Sequence, residues 1–246
     1  MNHSIAGRIS VALVLLAAFT SGPSFAERLT PEQIAQRLAS GSTDFSDLEA
    51  PGANLSKMNF AGASLFGAKL QGADLSNANL AGCNLNVAIL RDAILVNADL
   101  RDAQLFSSVL ANANLSRADL RNARLMGNFE RANLEGANLE DVKGGSDMRN
   151  QPMGLIRLVL LNAKLKGARL RGADLSRADL SYADLREADL SNANLTRAKL
   201  IGADLTGATL TRATFNGAEI QDAIFRDVID MATAQGLDAA AGQDDR

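Results

Sequence analysis

The chain has 246 residues, 47% of them hydrophobic, with no Trp, one Tyr and one Cys. Its 25 basic and 28 acidic residues leave a net charge of -3, which argues against bulk attraction to nucleic acid or to an anionic membrane surface. A lone Cys makes no intrachain disulfide, and the one His is His3, so the chain beyond its first residues is without histidine-based metal sites or Ser-His-Asp and Cys-His catalysis.

Residues 1–26 read as a signal peptide. Arg8 precedes the apolar run VALVLLAAFT, and Ser24-Phe25-Ala26 is a small-residue cleavage site. Cleavage near Ala26 is expected, with export to the periplasm or the medium. The run is too short to persist as a permanent membrane span. Residues 27–52 predict an N-terminal helical cap. In TPEQIAQRLASG, Thr30 is the N-cap, Pro31 fits the first turn, Gln33 completes a capping box and Gly41 ends the helix.

From residue 53 a five-residue pattern takes over. ADLSRADLSYADLREADLSNANL, Ala173 to Leu195, returns Leu at every fifth position with Ala two places before it. On an α-helix, steps of five scatter around the cylinder. On a flat strand they alternate between faces. A chain that turns a corner every five residues makes the steps equivalent, and four sides close a square coil of 20. Stacked coils give a solenoid with parallel strands on each wall.

The blocks run in two segments, 53–139 and 160–228. Counting centres from Leu55 to Leu139 and from Leu165 to Phe225 gives 31, of which 26 are Leu, four Phe and one Ile; the residue two before is Ala in 27. Phe129 follows Leu125 by four residues instead of five. Residues 140–159 break the pattern, with Gly144, Gly145 and Pro152 as breakers, and read as an extruded loop. The 21 residues from Leu139 to Leu160 suggest that this loop replaces one coil and restores the phase. Residues 229–246 predict a C-terminal helical cap of one or two turns and a disordered tail.

The tandem A-[DN]-L-x-x blocks, such as ADLSR, ADLSY, ADLRE and ANLTR, resemble the pentapeptide-repeat proteins over about residues 53–228. The resemblance implies a right-handed quadrilateral parallel β-helix, an all-β solenoid, with the centre and the preceding Ala pointing inward. The family's activities are diverse, so the resemblance constrains function weakly. The physics agrees with that geometry. Walls about 10 Å apart hold one large and one small side chain per side, and Cys83, Ser108 and Gly127 take the small position. A single block buries one Leu for about 1.5–3 kcal/mol against about 7 kcal/mol for ordering five residues. Stability must come from stacking.

Residues 20 apart become vertical neighbours. Asp179, Lys199 and Glu219 form one outward column, Lys164, Asp184 and Asp204 another, and Arg169 lies beneath Asp189; these read as solvated ladders of mostly opposite charge. Asp99 over Asp119 could hold a cation or act as paired carboxylates, with Arg101 and Arg121 alongside to neutralise them. Cys83 should be buried and unreactive.

The anomaly is apolar. Phe66, Phe106 and Met126 share an outward column interrupted by Asn86, and Val87, Ile89 and Val109 lie on neighbouring positions. Exposed clusters of this kind mark contacts. Two readings stand: the loop near Met153, Leu155 and Ile156 folds over the patch, or the patch receives another protein or a second copy in a homo-oligomer. The expected function is an exported, non-catalytic scaffold or interaction module without cofactor, metal or nucleic acid. A topoisomerase-protecting DNA mimic, known among relatives, calls for an acidic rod in the cytoplasm, whereas residues 53–141 carry eight basic and nine acidic side chains and residues 163–228 ten and nine. A carbohydrate-active β-helix enzyme would have only Asp99 and Asp119 to work with.

Overall fold

The computed structural model describes residues 27–145 and 157–237. The expected signal peptide, with His3, lies outside the described residues, as do 146–156 of the expected loop and 238–246 of the expected tail.

Why the repeat has its letters is visible in one block. The Asp or Asn ahead of each Leu pairs in parallel with its equivalent a lap away, as Asp74 does with Ile94 and Asn79 with Asp99. Its side-chain oxygen turns back to accept from the N–H two residues on, as in Ser76 to Asp74 at 2.9 Å and Ala81 to Asn79 at 3.1 Å. That contact starts the corner. The next Ala closes it, the Ala78 N–H donating to the Leu75 carbonyl at 3.0 Å. Between them Asn77 sits at φ +57°, in the left-handed third position of the turn. Leu75 and Ala78 both point inward and are buried.

Four walls result. Their outward bridge residues step through Asn59, Ser64, Lys69 and Asp74 and then recur 20 residues later. Leu centres from Leu65 to Leu210 are fully buried in one continuous core. The outward columns also stand as the spacing requires: Asp179–Lys199–Glu219, Lys164–Asp184–Asp204 and Arg169–Asp189 are paired in register.

The coil begins earlier than the repeat letters show. Asp44 already pairs with Ser64 and Glu49 with Lys69, while Phe45, Leu48 and Ala50 fill inward positions. These residues fell in the stretch expected to be a helical cap. The helix itself, α1, spans Pro31–Ala39. Its capping box is formed, the Thr30 hydroxyl accepting from the Gln33 N–H and the Gln33 side chain accepting from the Thr30 N–H. α1 buries Ile34 in the core at the first coil. Before it, β1 (Glu27–Arg28) pairs in parallel with β2 (Leu48–Glu49) and extends that wall by one rung.

Two irregularities interrupt the stack. β3 (Gln104–Val109) lies parallel to β4 (Arg124–Asn128), with Phe106 opposite Met126 but Val109 opposite Asn128. The missing residue is taken out at the corner. Gly127 runs so close to β3 that a Cβ there would meet the Ser108 carbonyl oxygen, which is why no larger residue stands in this small inward position.

The second irregularity corrects the expectation that residues 140–159 replace a coil. Val142 and Lys143 continue the coil, Lys143 pairing with Arg124 on one side and Asp174 on the other. Leu139 stacks against Leu170, its N–H donating to Arg169, while Leu160 stacks against Phe129, a different wall. Pairs across this lap, such as Asn128 with Val159 and Lys143 with Asp174, are 31 residues apart rather than 20, so eleven residues are inserted at one corner. Distance along the chain could not separate a replaced coil from an interrupted one.

The C-terminal end also differs from expectation. The ladder continues to Ile229, paired with Thr209, and to Gln235, paired with Thr214. In place of a helical cap there is one 3-10 turn, Met231–Thr233, which buries nothing. Ile224, Ile229 and Met231 are exposed on the last described coil.

Candidate functional site

Three groups from the sequence reading can be placed. Asp99 and Asp119 do stack as neighbours. Each is clamped by the Arg two residues on, Arg101 to Asp99 at 2.8 and 2.6 Å and Arg121 to Asp119 at 2.9 and 2.7 Å. The Arg101 side-chain hydrogen bonds hold Asp99 below the usual carboxylate range. Burial pushes Asp119 up, but hydrogen bonds from Arg121 more than offset it. Both therefore stay ionised and occupied, so neither is placed as the proton-donating member of an acid–base pair. Among the described residues there is no group of three or more His, Cys, Asp or Glu that could hold a metal ion.

Cys83 is fully buried, and its thiol donates to the Phe60 carbonyl at 2.8 Å. Burial pushes its pKa up to about 11. A thiol so placed is packing, not a nucleophile.

The apolar residues come together. Phe66, Asn86, Phe106 and Met126 occupy the same corner on four successive coils, tied through Gly67 N–H to Asn86 carbonyl, Val87 N–H to Phe106 carbonyl and the Phe106–Met126 pairing. Phe66 is 43% exposed, Val87 46% and Phe106 39%. Met126 is half-buried, as are Ile89 and Val109, which pair with each other on the adjoining wall. Asn86 is more than an interruption. Gln104 is one carbon too long to start the Phe106 corner in the usual way, and the Asn86 side chain accepts the Phe106 N–H instead, at 2.8 Å. The insertion leaves the coil at this corner, one lap beyond Met126, since Gly144 N–H bonds Asp174 and Val159 N–H bonds Gly127.

One feature of this corner went unnoticed in the sequence. Val87 has φ +62°, and among the described residues it is the one β-branched residue in the left-handed region; the other occupants include Gly, Asn, Asp and Ser. A β-branched side chain there crowds its own backbone, at about 1–2 kcal/mol. The signal was available: the same slot holds Gly67 a lap earlier and Ser107 a lap later.

The family model for pentapeptide repeats matches in eight copies, over residues 52–80, 68–105, 98–143, 159–192 and 188–227. Among solved structures the chain is similar to HetL, a pentapeptide repeat protein involved in heterocyst differentiation regulation from the cyanobacterium Nostoc sp. strain PCC 7120. Identity is 30%, over 82% of this chain and 94% of that one, with a TM-score of 0.34. It is also similar to QnrB1, a plasmid-mediated fluoroquinolone resistance protein, at 16% identity over 79% and 93% of the chains, with a TM-score of 0.38. A third is a pentapeptide repeat protein from the Arabidopsis thaliana thylakoid lumen, at 27% identity over 64% and 68%, with a TM-score of 0.23. No curated protein gives a significant match.

Proposed function

This chain belongs to the pentapeptide-repeat family, whose members fold as right-handed β-helices, and from that premise we propose that it is an exported, non-catalytic interaction module. Its rigid wall receives a protein partner, or a second copy of itself, at the corner formed by Phe66, Val87, Phe106 and Met126.

Val87 carries the reading. The fold needs no valine there, because Gly and Ser serve the same slot on the adjoining coils. A side chain held in a strained backbone and left nearly half exposed beside two exposed Phe rings contributes nothing evident to folding. Strain of this kind is retained at sites of contact, and apolar surface of this kind is retained where a partner covers it. The clamped Asp99 and Asp119 and the sealed Cys83 favour binding over chemistry. Export rests on the leader-like residues 1–26. Among the described residues no helix is long and apolar enough to cross a membrane.

A photocrosslinking residue at Phe66 or Phe106, compared with one at Asn79 on another wall, tests the site in intact cells. Specific adducts should form from the corner positions and not from Asn79, and self-adducts would identify a second copy. Equal adduct patterns from both walls would overturn the reading. Fractionation, with the mass of the mature chain, tests export: loss of residues 1–26 supports it, and an intact chain in the cytosol contradicts it.

A further inference from the structure

One wall of the coil carries a charge pattern of its own. Its outward column starts with Glu49 and Lys69 and turns apolar at Ile89 and Val109. It passes through Asn128 to Val159 and ends charged, with Asp179, Lys199 and Glu219. Asn128 pairs directly with Val159, so the column runs unbroken past the insertion. Among the described residues it is the one outward column with apolar side chains in its middle and charges at both ends. Within the chain those charges pair from lap to lap: Lys69 with Glu49 at 2.6 Å, Asp179 with Arg157 at 3.3 Å and Lys199 with Glu219 at 3.6 Å.

This order is its own complement. Turn a second copy over about an axis that crosses the wall between Val109 and Asn128. Glu49 then faces Lys199, Lys69 faces Asp179, Ile89 faces Val159 and Val109 faces Asn128, and two-fold symmetry makes each pair twice. Neighbouring placements fail. Two rods pointing the same way about a two-fold axis set every charge against its own kind. An axis at Asn128 sets Lys69 against Lys199 and Glu49 against Glu219. An axis at Val109 sets Glu49 against Asp179 and Lys69 against Val159. The complementary register also brings Tyr182 beside Gln71 and Gly72 of the second copy. Tyr182 sits in a left-handed corner slot at φ +57° and is 60% exposed, with its ring over Gly202, and the space above Gly72 is open.

We propose that this wall is a self-recognition surface, on which two copies of the chain pack antiparallel as a two-fold dimer. The occupant is a second copy because the wall presents, in reverse order, the charges and apolar groups that it needs opposite it. Glu49 and Lys199 lie seven coils apart, so the matched strip is about 34 Å long at about 4.8 Å per coil. Ile89 and Val159 supply the dry centre, and the flanking charges set direction and register more than affinity. The proposal goes beyond the corner reading and does not depend on it, since Phe66, Val87 and Phe106 stand on the adjoining corner.

The test is sedimentation of the full chain over a range of concentrations, in which the wild type should dimerise reversibly. Ile89→Asp puts a carboxylate beside Lys69, and Val159→Lys puts an ammonium beside Asp179, so each dilute monomer should keep the wild-type melting temperature. Each variant alone should weaken the dimer by at least about tenfold, because the new charge faces an apolar side chain of the other copy. Mixed in equal amounts, the two variants should recover the dimer: the new carboxylate then faces the new ammonium, and Val159 of one chain faces Ile89 of the other. Should either variant melt low, Ile89→Cys mixed with Val159→Cys reads the same register through a short bismaleimide. Crosslinks should join the two variants to each other and neither to itself, because one position lies three coils, about 14 Å, from its own copy. A chain that is monomeric at every concentration would overturn the proposal, as would a dimer untouched by both substitutions or a mixture that recovers nothing. None of these results moves the corner reading, which stands or falls on the adduct comparison between Phe106 and Asn79.

Discussion

Two adjacent corners of this rod share one architecture and differ in what they show to water. The corner at Ala61-Gly62, Ala81-Gly82, Arg101-Asp102 and Arg121-Asn122 obeys local rules throughout: small or clamped residues first, Gly, Asp or Asn in the left-handed slot. The corner at Phe66-Gly67, Asn86-Val87 and Phe106-Ser107 is built on the same ladder and the same inward leucines, yet exposes two Phe rings and strains a valine. The lesson is that the repeat determines the inside and leaves the outside free. Departures from the outer rules are therefore the places to look for a contact, because packing does not ask for them.

The comparison breaks if the two corners do not share a core. Leu100 and Leu105 are both fully buried. Leu100→Ala and Leu105→Ala should each lower stability by about 2–5 kcal/mol in urea unfolding. A marked difference between them would show that the corners are supported differently.

The short coil sharpens it. Gly127→Ala pushes a methyl against the Ser108 backbone and should cost about 1–3 kcal/mol, with loss of the β3–β4 register by amide exchange. A neutral effect with the register kept would contradict this account of the short coil.

The smallest effect belongs to the Arg clamps of the rule-abiding corner. Asp99 and Asp119 have lowered pKa values in the folded chain, so their contribution is present above the ordinary carboxylate range and fades as pH falls through the lowered values. With half-exposed guanidinium partners it amounts to about 0–1 kcal/mol. The double variant R101A/R121A should thus be slightly less stable than wild type at pH 7, with the gap closing below about pH 3.8. A gap that widens on acidification would reverse the assignment.

Much of this was legible in the letters. A five-residue period with one large and one small apolar residue admits few structures, and Thr30 with Gln33 marks the helix start. The rest was hidden for identifiable reasons. Phe45 and Ala50 do the work of a Leu centre without the motif's letters, so the first coil read as cap. Residues 229–246 read as a cap of one or two helical turns and a tail because this stretch carries no five-residue period; one 3-10 turn does form at Met231–Thr233, but Ile229 and Gln235 on either side of it continue the ladder. The exposed Phe column followed from counting by 20. Val87's strain did not, because backbone conformation shows only when each corner slot is compared with its neighbours.

The most direct measurement is made on Val87→Asn. Asn tolerates the left-handed slot, so the variant should be more stable than wild type by about 1 kcal/mol, while crosslinks from position 106 to a partner should be lost or sharply reduced. A variant that is no more stable, or one that is stabilised yet crosslinks as wild type does, would contradict the claim that this corner keeps its strained valine for contact.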